Sequence, residues 1–285
     1  MVSERDLVLE DGRRLHVYDT GPRDEADALT VFWLHGTPNL GAPPAPLFAD
    51  AERLRLRWLS YDRPGYGGST AHSGRRVAAA ADDVARIADA WQVERFAVMA
   101  LSGGGPHALA CAARLPGRVA AVVTVSGPAP FAASGLDWFA GMAPGGASEF
   151  RAAVEGRAAL AAHLADAPSD PTALTAFDVA ILAGEWAWLD SVFGPATANG
   201  PDGLLDDDLA YVTDWGCDPA AITTPLLLLH GGEDRLVPVS HARWLARTCG
   251  TAELRLSPQD GHLSVLRLAA TALDWICAKV RQHPG

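Results

Sequence analysis

Hydrophobic and polar positions along this 285-residue chain follow two periods. Short apolar runs, such as residues 29–34 and 96–101, are typical of strands buried on both faces of a parallel sheet. Residues 77–91 place their apolar positions on one helical face, as helices that cover a sheet do. Residues 5–19 alternate around Asp11-Gly12, which predicts a β-hairpin. Strands that alternate with helices predict an α/β fold with a mostly parallel sheet covered on both faces.

One long segment departs from this alternation. Residues 131–217 are rich in alanine, carry short helical patterns interrupted by prolines, and contain no convincing strand pattern. Strand patterns resume after this segment. We therefore predict that residues 1–130 and 218–285 form the α/β core. Residues 131–217 are predicted to form a helical cap over the C-terminal edge of the sheet.

Composition narrows the possible partners. The formal net charge is −11 without a basic cluster, which argues against binding to nucleic acid or to anionic membranes. The N-terminal residues lack an apolar signal segment, and no apolar run is long enough to span a membrane. We therefore expect a cytoplasmic protein that acts on a small-molecule substrate, and the sequence makes no prediction of its oligomeric state.

Cysteine spacing gives no sign of a metal or redox centre. The four cysteines lie far apart in the sequence without a C-x-x-C pair, so we predict neither a metal ion nor a cofactor. In their apolar contexts we interpret them as buried thiols.

A serine between a predicted strand and a predicted helix is the main candidate for chemistry. The apolar run 96–101 ends at Ser102, and three glycines follow before the helical pattern begins. Such a sharp reversal strains its turn residue and places the serine at a helix N-terminus, where free N–H groups favour negative charge. This is the pattern of a nucleophile elbow, G-x-S-x-G, except that Ala100 replaces the first glycine. A glycine-rich turn with an incidental serine is the alternative.

Two further polar residues follow later predicted strands. Asp234 comes shortly after the strand at 225–229, and His262 follows the last strand. The C-terminal ends of parallel strands open onto one edge of a sheet, so these side chains can converge on Ser102 there. A serine needs a base to become a nucleophile, and the base needs an orienting acid. The chain order serine, aspartate, histidine is the order found in α/β-hydrolases.

With these motifs, the chain resembles the cap-bearing α/β-hydrolase-fold serine hydrolases of the esterase, thioesterase and aminopeptidase types. The resemblance spans nearly the whole chain and rests on five segments in the correct order: 34–38, 62–69, the elbow, 231–238 and 260–262. Thr37 and Asn39 depart from the H-G-G-P-G loop usual in prolyl aminopeptidases, which argues against peptide cleavage. Epoxide hydrolases and haloalkane dehalogenases usually carry aspartate at the elbow, so Ser102 argues against both chemistries.

The resemblance implies roles for particular residues. Ser102 is expected to be the nucleophile, His262 the general base and then acid, and Asp234 the group that orients His262. The backbone N–H groups of Thr37 and Gly103 are the expected oxyanion hole. Substrate contacts are expected at three further residues, namely Gly36, Phe139 and Trp186.

Several alternatives stay open at this point. Glu233 could replace Asp234 as the acid, and His107 is expected to be a packing residue or part of the pocket wall. The acidic run 206–208 is interpreted as a solvated helix start. The predicted function is hydrolysis of an ester, thioester, lactone or amide through an acyl-enzyme. The alternatives are a lyase, cyclase or cofactor-free oxygenase that uses the same histidine, or a non-catalytic receptor for a small ligand.

Overall fold

A computed structural model describes residues 2–21, 28–166 and 168–282 and contains one eight-stranded sheet. The strand order is β1-β2-β4-β3-β5-β6-β7-β8. The first two strands form the predicted hairpin and pair antiparallel to their neighbours, whereas all later pairs are parallel. The predicted α/β fold class is therefore confirmed. The strands are β1 (Ser3–Val8), β2 (Arg14–Asp19), β3 (Leu29–Leu34), β4 (Leu56–Tyr61), β5 (Phe96–Leu101), β6 (Val119–Val125), β7 (Leu226–Gly231) and β8 (Ala252–Ser257).

Helices lie on both faces of this sheet. Five of the helices that the structure describes follow one another in the sequence between β6 and β7. The helices are α1 (Phe48–Arg53), α2 (Ala79–Ala90), α3 (Gly104–Arg114), α4 (Pro144–Glu155), α5 (Arg157–Asp166), α6 (Ala176–Leu182), α7 (Leu189–Phe193), α8 (Asp202–Val212), α9 (Val239–Thr248) and α10 (Ala269–Gln282). None of the helices in the described ranges is long and apolar enough to cross a membrane.

The central strand β5 shows why the helices form two layers. Its residues are all buried, and successive side chains point to opposite faces of the sheet. Val98 and Ala100 belong to a core that includes residues of α2, α3 and α9. Met99 and Leu101 belong to a second core that includes residues of α1 and α10. A strand with both faces buried is expected to be apolar throughout, which explains the continuous apolar run in the sequence.

The segment between β6 and β7 is helical. Helices α4 to α8 occupy it, and its described residues contain no strand. Part of this segment packs into the core beside α10 through Trp186, Leu189 and Val192. The remainder contributes α4, α5 and α8, which pack on one another around Leu160 and Leu205.

Candidate active site

Ser102, His262 and Asp234 come together at the C-terminal edge of the sheet, after β5, β8 and β7 respectively. His262 Nε2 lies 2.9 Å from Ser102 Oγ, and His262 Nδ1 lies 2.8 Å from Asp234 Oδ2. A carboxylate only accepts hydrogen bonds, so Nδ1 carries the hydrogen and Nε2 is free to accept the serine proton. The arrangement can therefore deprotonate the Ser102 hydroxyl.

The carboxyl group of Asp234 is held by four neighbours. Its Oδ1 accepts hydrogen bonds from the backbone N–H groups of Leu236 at 2.9 Å and Val237 at 2.8 Å. Its Oδ2 lies 3.2 Å from His230 Nε2, in addition to its bond with His262. Glu233, the alternative acid, is exposed to solvent. The structure thus brings Asp234, and not Glu233, to the histidine.

Opposing influences set the pKa values of His262 and Asp234. Burial acts to lower the pKa of His262, but the charge of Asp234 and its hydrogen bond raise that pKa above its ordinary value. Burial acts to raise the pKa of Asp234, but the charge and hydrogen bonds of His262 and His230 hold that pKa well below its ordinary value. Asp234 therefore stays ionised and stabilises the imidazolium form of His262 when it takes up a proton.

The backbone at Ser102 has the strained geometry expected of a nucleophile elbow. Ser102 is in the left-handed region with φ of 50°, which few non-glycine residues adopt. A Cβ atom on Gly104 would lie 2.1 Å from the Leu34 carbonyl oxygen, so only glycine allows α3 to approach β3 this closely. Strain at Ser102 is maintained by the surrounding sheet and helix, because its N–H donates to the Val125 carbonyl at 2.7 Å.

The two predicted oxyanion donors lie next to Ser102 and are braced together. Within the described residues, no hydrogen bond occupies the backbone N–H of Thr37 or of Gly103. The Tyr211 hydroxyl donates to the Gly103 carbonyl at 2.8 Å and lies 2.7 Å from Thr37 Oγ1. The Arg63 guanidinium donates to the carbonyls of His35 and Gly36. The hydrogen bonds of Tyr211 and Arg63 therefore fix the position of the loop that carries Thr37.

Asp207 connects this loop to α8. Its side chain is fully buried and accepts from Thr37 Oγ1 at 2.8 Å and Tyr66 Oη at 2.9 Å. It also pairs with Arg63 Nη2 at 2.6 Å and Arg75 Nη2 at 2.7 Å. Burial acts to raise the pKa of Asp207, but the two arginines hold it well below its ordinary value. The carboxylate is therefore charged and joins α8 to the loop that carries Thr37.

The acidic run 206–208 was interpreted from the sequence as a solvated helix start, and this interpretation is wrong. The three aspartates are 1%, 0% and 1% exposed. The arginine partners of Asp207, which are Arg63 and Arg75, lie more than a hundred positions away in the sequence. The available signal was that the run lies between apolar pairs, Leu204-Leu205 and Leu209-Ala210, in a single helix.

A cavity of about 1060 Å³ lies over the serine. Its walls include Ser102 and His262, the loop residues Gly36 and Thr37, and residues of α4, α5, α7 and α8. Gly36, at which a substrate contact is expected, is therefore part of the cavity wall.

The aromatic wall of the cavity differs from the prediction. Neither Phe139 nor Trp186 is among the described residues that line the cavity. Trp186 is fully buried in the core beside α10, while Phe139 packs on Trp138. Trp138 and Phe150 line the cavity instead. Because side-chain direction within the inserted segment depends on how its helices dock, the sequence could not distinguish neighbouring aromatic residues.

Among the described residues, no group of three or more histidine, cysteine or carboxylate side chains could hold a metal ion. The four cysteines are free thiols.

Residues 30–267 match the alpha/beta hydrolase fold family. The chain belongs to this family. The resemblance drawn from the sequence motifs is thereby confirmed, and the family supports hydrolase activity.

The proteins that this chain is similar to are named for different activities. A 2-hydroxymuconate semialdehyde hydrolase from Pseudomonas putida is 27% identical over 252 residues, covering 86% of this chain and 84% of the relative. A non-heme chloroperoxidase from Streptomyces lividans is 31% identical over 246 residues, with coverages of 83% and 84%. The crystal structure of an enol-lactonase from Burkholderia xenovorans superposes with a TM-score of 0.70 at 22% identity, covering 97% of this chain and all of that one. The similarity to the enol-lactonase structure shows that the two proteins share a fold.

Proposed function

We propose that this α/β-hydrolase is a serine hydrolase that cleaves an ester, thioester, lactone or amide through an acyl-enzyme. The observation that supports this most directly is the continuous hydrogen-bonded chain from Ser102 Oγ through His262 to Asp234. The free N–H groups of Thr37 and Gly103 beside the serine add the second requirement of acyl transfer, which is stabilisation of an oxyanion.

In the proposed reaction, His262 Nε2 takes the proton of Ser102 as Oγ attacks the carbonyl carbon of the substrate. The carbonyl oxygen becomes an oxyanion and accepts hydrogen bonds from the N–H groups of Thr37 and Gly103. His262 then returns the proton to the leaving alcohol, thiol or amine, and the acyl group stays on Ser102. Water repeats the sequence in the second half: His262 takes its proton, hydroxide attacks the acyl carbon, and Ser102 regains its hydrogen.

The segment 131–217 is proposed to act as the cap of this enzyme. Residues of α4, α5, α7 and α8 line the cavity over Ser102, so this segment restricts which substrates reach the serine. The core boundaries proposed for the enzyme remain 1–130 and 218–285.

The other chemistries considered from the sequence predict different behaviour. A lyase, cyclase or cofactor-free oxygenase would need His262 as a proton shuttle but would not turn over esters through Ser102. A receptor would need neither the free oxyanion donors nor the activated hydroxyl.

Replacing the serine tests the proposal. Ser102→Ala removes the nucleophile, so kcat for a short-chain para-nitrophenyl ester should fall by about 10³-fold or more. The matched control is Ser73→Ala at an exposed serine, for which we expect wild-type rates. Thermal melting of both variants checks that they are folded. Wild-type turnover by folded Ser102→Ala would overturn the proposal.

A further inference from the structure

The walls of the cavity carry several acidic side chains, whereas the basic side chains among the described lining residues are the histidines His163 and His262. Among the described residues that line it, four carry carboxyl groups and none is a lysine or arginine. The four are Glu149, Asp170, Asp190 and Asp208. A cavity of this composition favours a substrate with positive charge over one with negative charge.

Three consecutive aspartates of α8 differ in their access to a positive charge. Asp206 pairs with Arg157, and Asp207 pairs with Arg63 and Arg75. Asp208 is equally buried at 1% exposure, yet no arginine in the described part of the chain pairs with it, and it is the member of the three that lines the cavity. Its Oδ2 has no hydrogen-bond partner among the described residues. Asp206 Oδ2 likewise lacks a partner within the described ranges, but of these two aspartates Asp208 is the one that belongs to the cavity wall, where a ligand could complete its hydrogen bonds.

Glu149 on α4 is the neighbour of Asp208. Its carboxyl group is half-buried, lines the same cavity and lies within hydrogen-bonding reach of Asp208. Burial raises the pKa of Asp208 well above its ordinary value, and the negative charge of Glu149 and then of Asp207 raise it further. The Asp208 carboxyl therefore holds a proton more readily than an exposed aspartate does, because two adjacent carboxylates repel each other.

The remaining two acidic residues of the wall are either hydrogen-bonded within the protein or exposed to solvent. The Asp170 carboxylate accepts hydrogen bonds from the N–H groups of Gly145 and Thr172 and from the Thr172 hydroxyl. Asp190 is exposed to solvent. The pair formed by Asp208 and Glu149 is thus the acidic group of the wall that combines burial with an unpartnered oxygen.

The acid pair lies close to the reaction centre along α8. Asp208 precedes Tyr211 by three residues, so their Cβ atoms are about 5–6 Å apart on one helical face. The Tyr211 hydroxyl contacts the Gly103 carbonyl beside the nucleophile. A substrate whose carbonyl lies at Ser102 can therefore extend a charged group to the pair within the same cavity.

We propose that the cavity selects substrates that carry a protonated amine, and that Glu149 and Asp208 bind the ammonium group. This inference rests on the proposed hydrolase function and specifies its substrate class. The ammonium donates hydrogen bonds to both carboxyl groups and places a positive charge beside them, while the rest of the substrate contacts the apolar wall.

Three para-nitrophenyl esters of matched length test this selection: those of ε-aminocaproic acid, which is cationic, heptanoic acid, which is neutral, and pimelic acid, which is anionic. We expect kcat/KM for the cationic ester to exceed that for the neutral ester by about tenfold or more, as charge-assisted hydrogen bonds allow. The anionic ester should be the poorest of the three. Equal rates for the three esters, or preference for the anionic one, would overturn the inference.

Glu149→Gln removes the negative charge of the pair, so the ratio of cationic to neutral ester should fall towards one. Asp208→Asn replaces a carboxyl group whose pKa is raised well above its ordinary value, so it should lower the ratio less. It provides a second variant if the first fails to fold. The matched control is Glu155→Gln, which removes an exposed carboxylate of the same helix as Glu149 that is not among the described residues lining the cavity, and it should keep the wild-type ratio. An unchanged ratio in Glu149→Gln, or equal losses in the control, would contradict the assignment.

Calorimetry with hexylammonium and hexanol separates this inference from the proposed catalysis. Binding to Ser102→Ala should favour hexylammonium by about tenfold or more, and Glu149→Gln should abolish the difference. If Ser102→Ala retains full turnover, the serine mechanism fails whatever the amine does. If turnover depends on Ser102 but the amine gives neither faster hydrolysis nor tighter binding, only the present inference fails.

Discussion

At the scale of single residues, the activity proposed for this molecule depends on a proton that moves between Ser102 and His262. The 2.9 Å contact between their side chains makes the transfer possible, and Asp234 keeps the imidazole in the tautomer that accepts it. The same carboxylate raises the pKa of His262. The neutral imidazole is the base, so kcat/KM should rise with pH through a pKa above the ordinary value for histidine, about 6.5.

Asp234→Asn tests this account of the histidine. Loss of the negative charge should move the acidic inflection of kcat/KM to lower pH, because the pKa of His262 is no longer raised. An amide at this position can also donate to Nδ1 and leave the hydrogen on Nε2, so kcat should fall by about 10³–10⁴-fold. Initial rates across the pH range measure both effects. Glu233→Gln is the matched control at the adjacent exposed carboxylate and should keep the wild-type pH profile. An unchanged pH profile in Asp234→Asn would contradict the role given to Asp234.

At the scale of secondary-structure elements, α8 is as important to the site as the elbow between β5 and α3. The elbow holds Ser102 in a left-handed conformation, while α8 supplies Tyr211 and Asp207 to the loop with Thr37. This helix belongs to the inserted segment, so buried hydrogen bonds connect that segment to the loop that carries Thr37. Docking of α8 and the geometry of this loop are therefore expected to depend on each other.

Asp207→Asn should be strongly destabilising, because it leaves the buried guanidinium groups of Arg63 and Arg75 without their negative partner. Breaking a buried ion pair from one side typically lowers the free energy of unfolding by about 3–5 kcal/mol. Asp214→Asn makes the same substitution in an ion pair with Arg76, in which both side chains are more than 60% exposed. This control should cost about 1 kcal/mol or less. Urea unfolding of the two variants provides the comparison, and equal losses would refute the role of Asp207.

At the scale of the whole molecule, the sheet was more predictable than the inserted segment. Strands β3 and β5 appear as continuous apolar runs because both of their faces are buried. The candidate catalytic residues come directly after strands whose C-terminal ends meet at one edge of the sheet. Motif order alone identified Ser102, Asp234 and His262 as candidates. Neither the apolar pattern nor the motifs specify the order of strands in the sheet, which depends on long-range pairing.

The inserted segment was less predictable because its contacts are distant in sequence and not marked by motifs. Its helical character is evident from composition, but which side of each helix faces the cavity depends on docking. For this reason the predicted contacts at Phe139 and Trp186 were replaced by Trp138 and Phe150. Buried aspartates of α8 were also mistaken for solvated ones, since an acidic run gives no sign of arginines that fold against it.

The central claim is that the acyl group of the substrate is transferred to Ser102, and a quenched-flow experiment tests it most directly. Enzyme mixed with para-nitrophenyl butyrate, quenched in acid during turnover and digested, can be mapped by mass spectrometry. We predict a butyryl group on the peptide at Ser102 and its absence from Ser102→Ala. Ester turnover without any acylated peptide, or with the acyl group on another residue, would contradict the account.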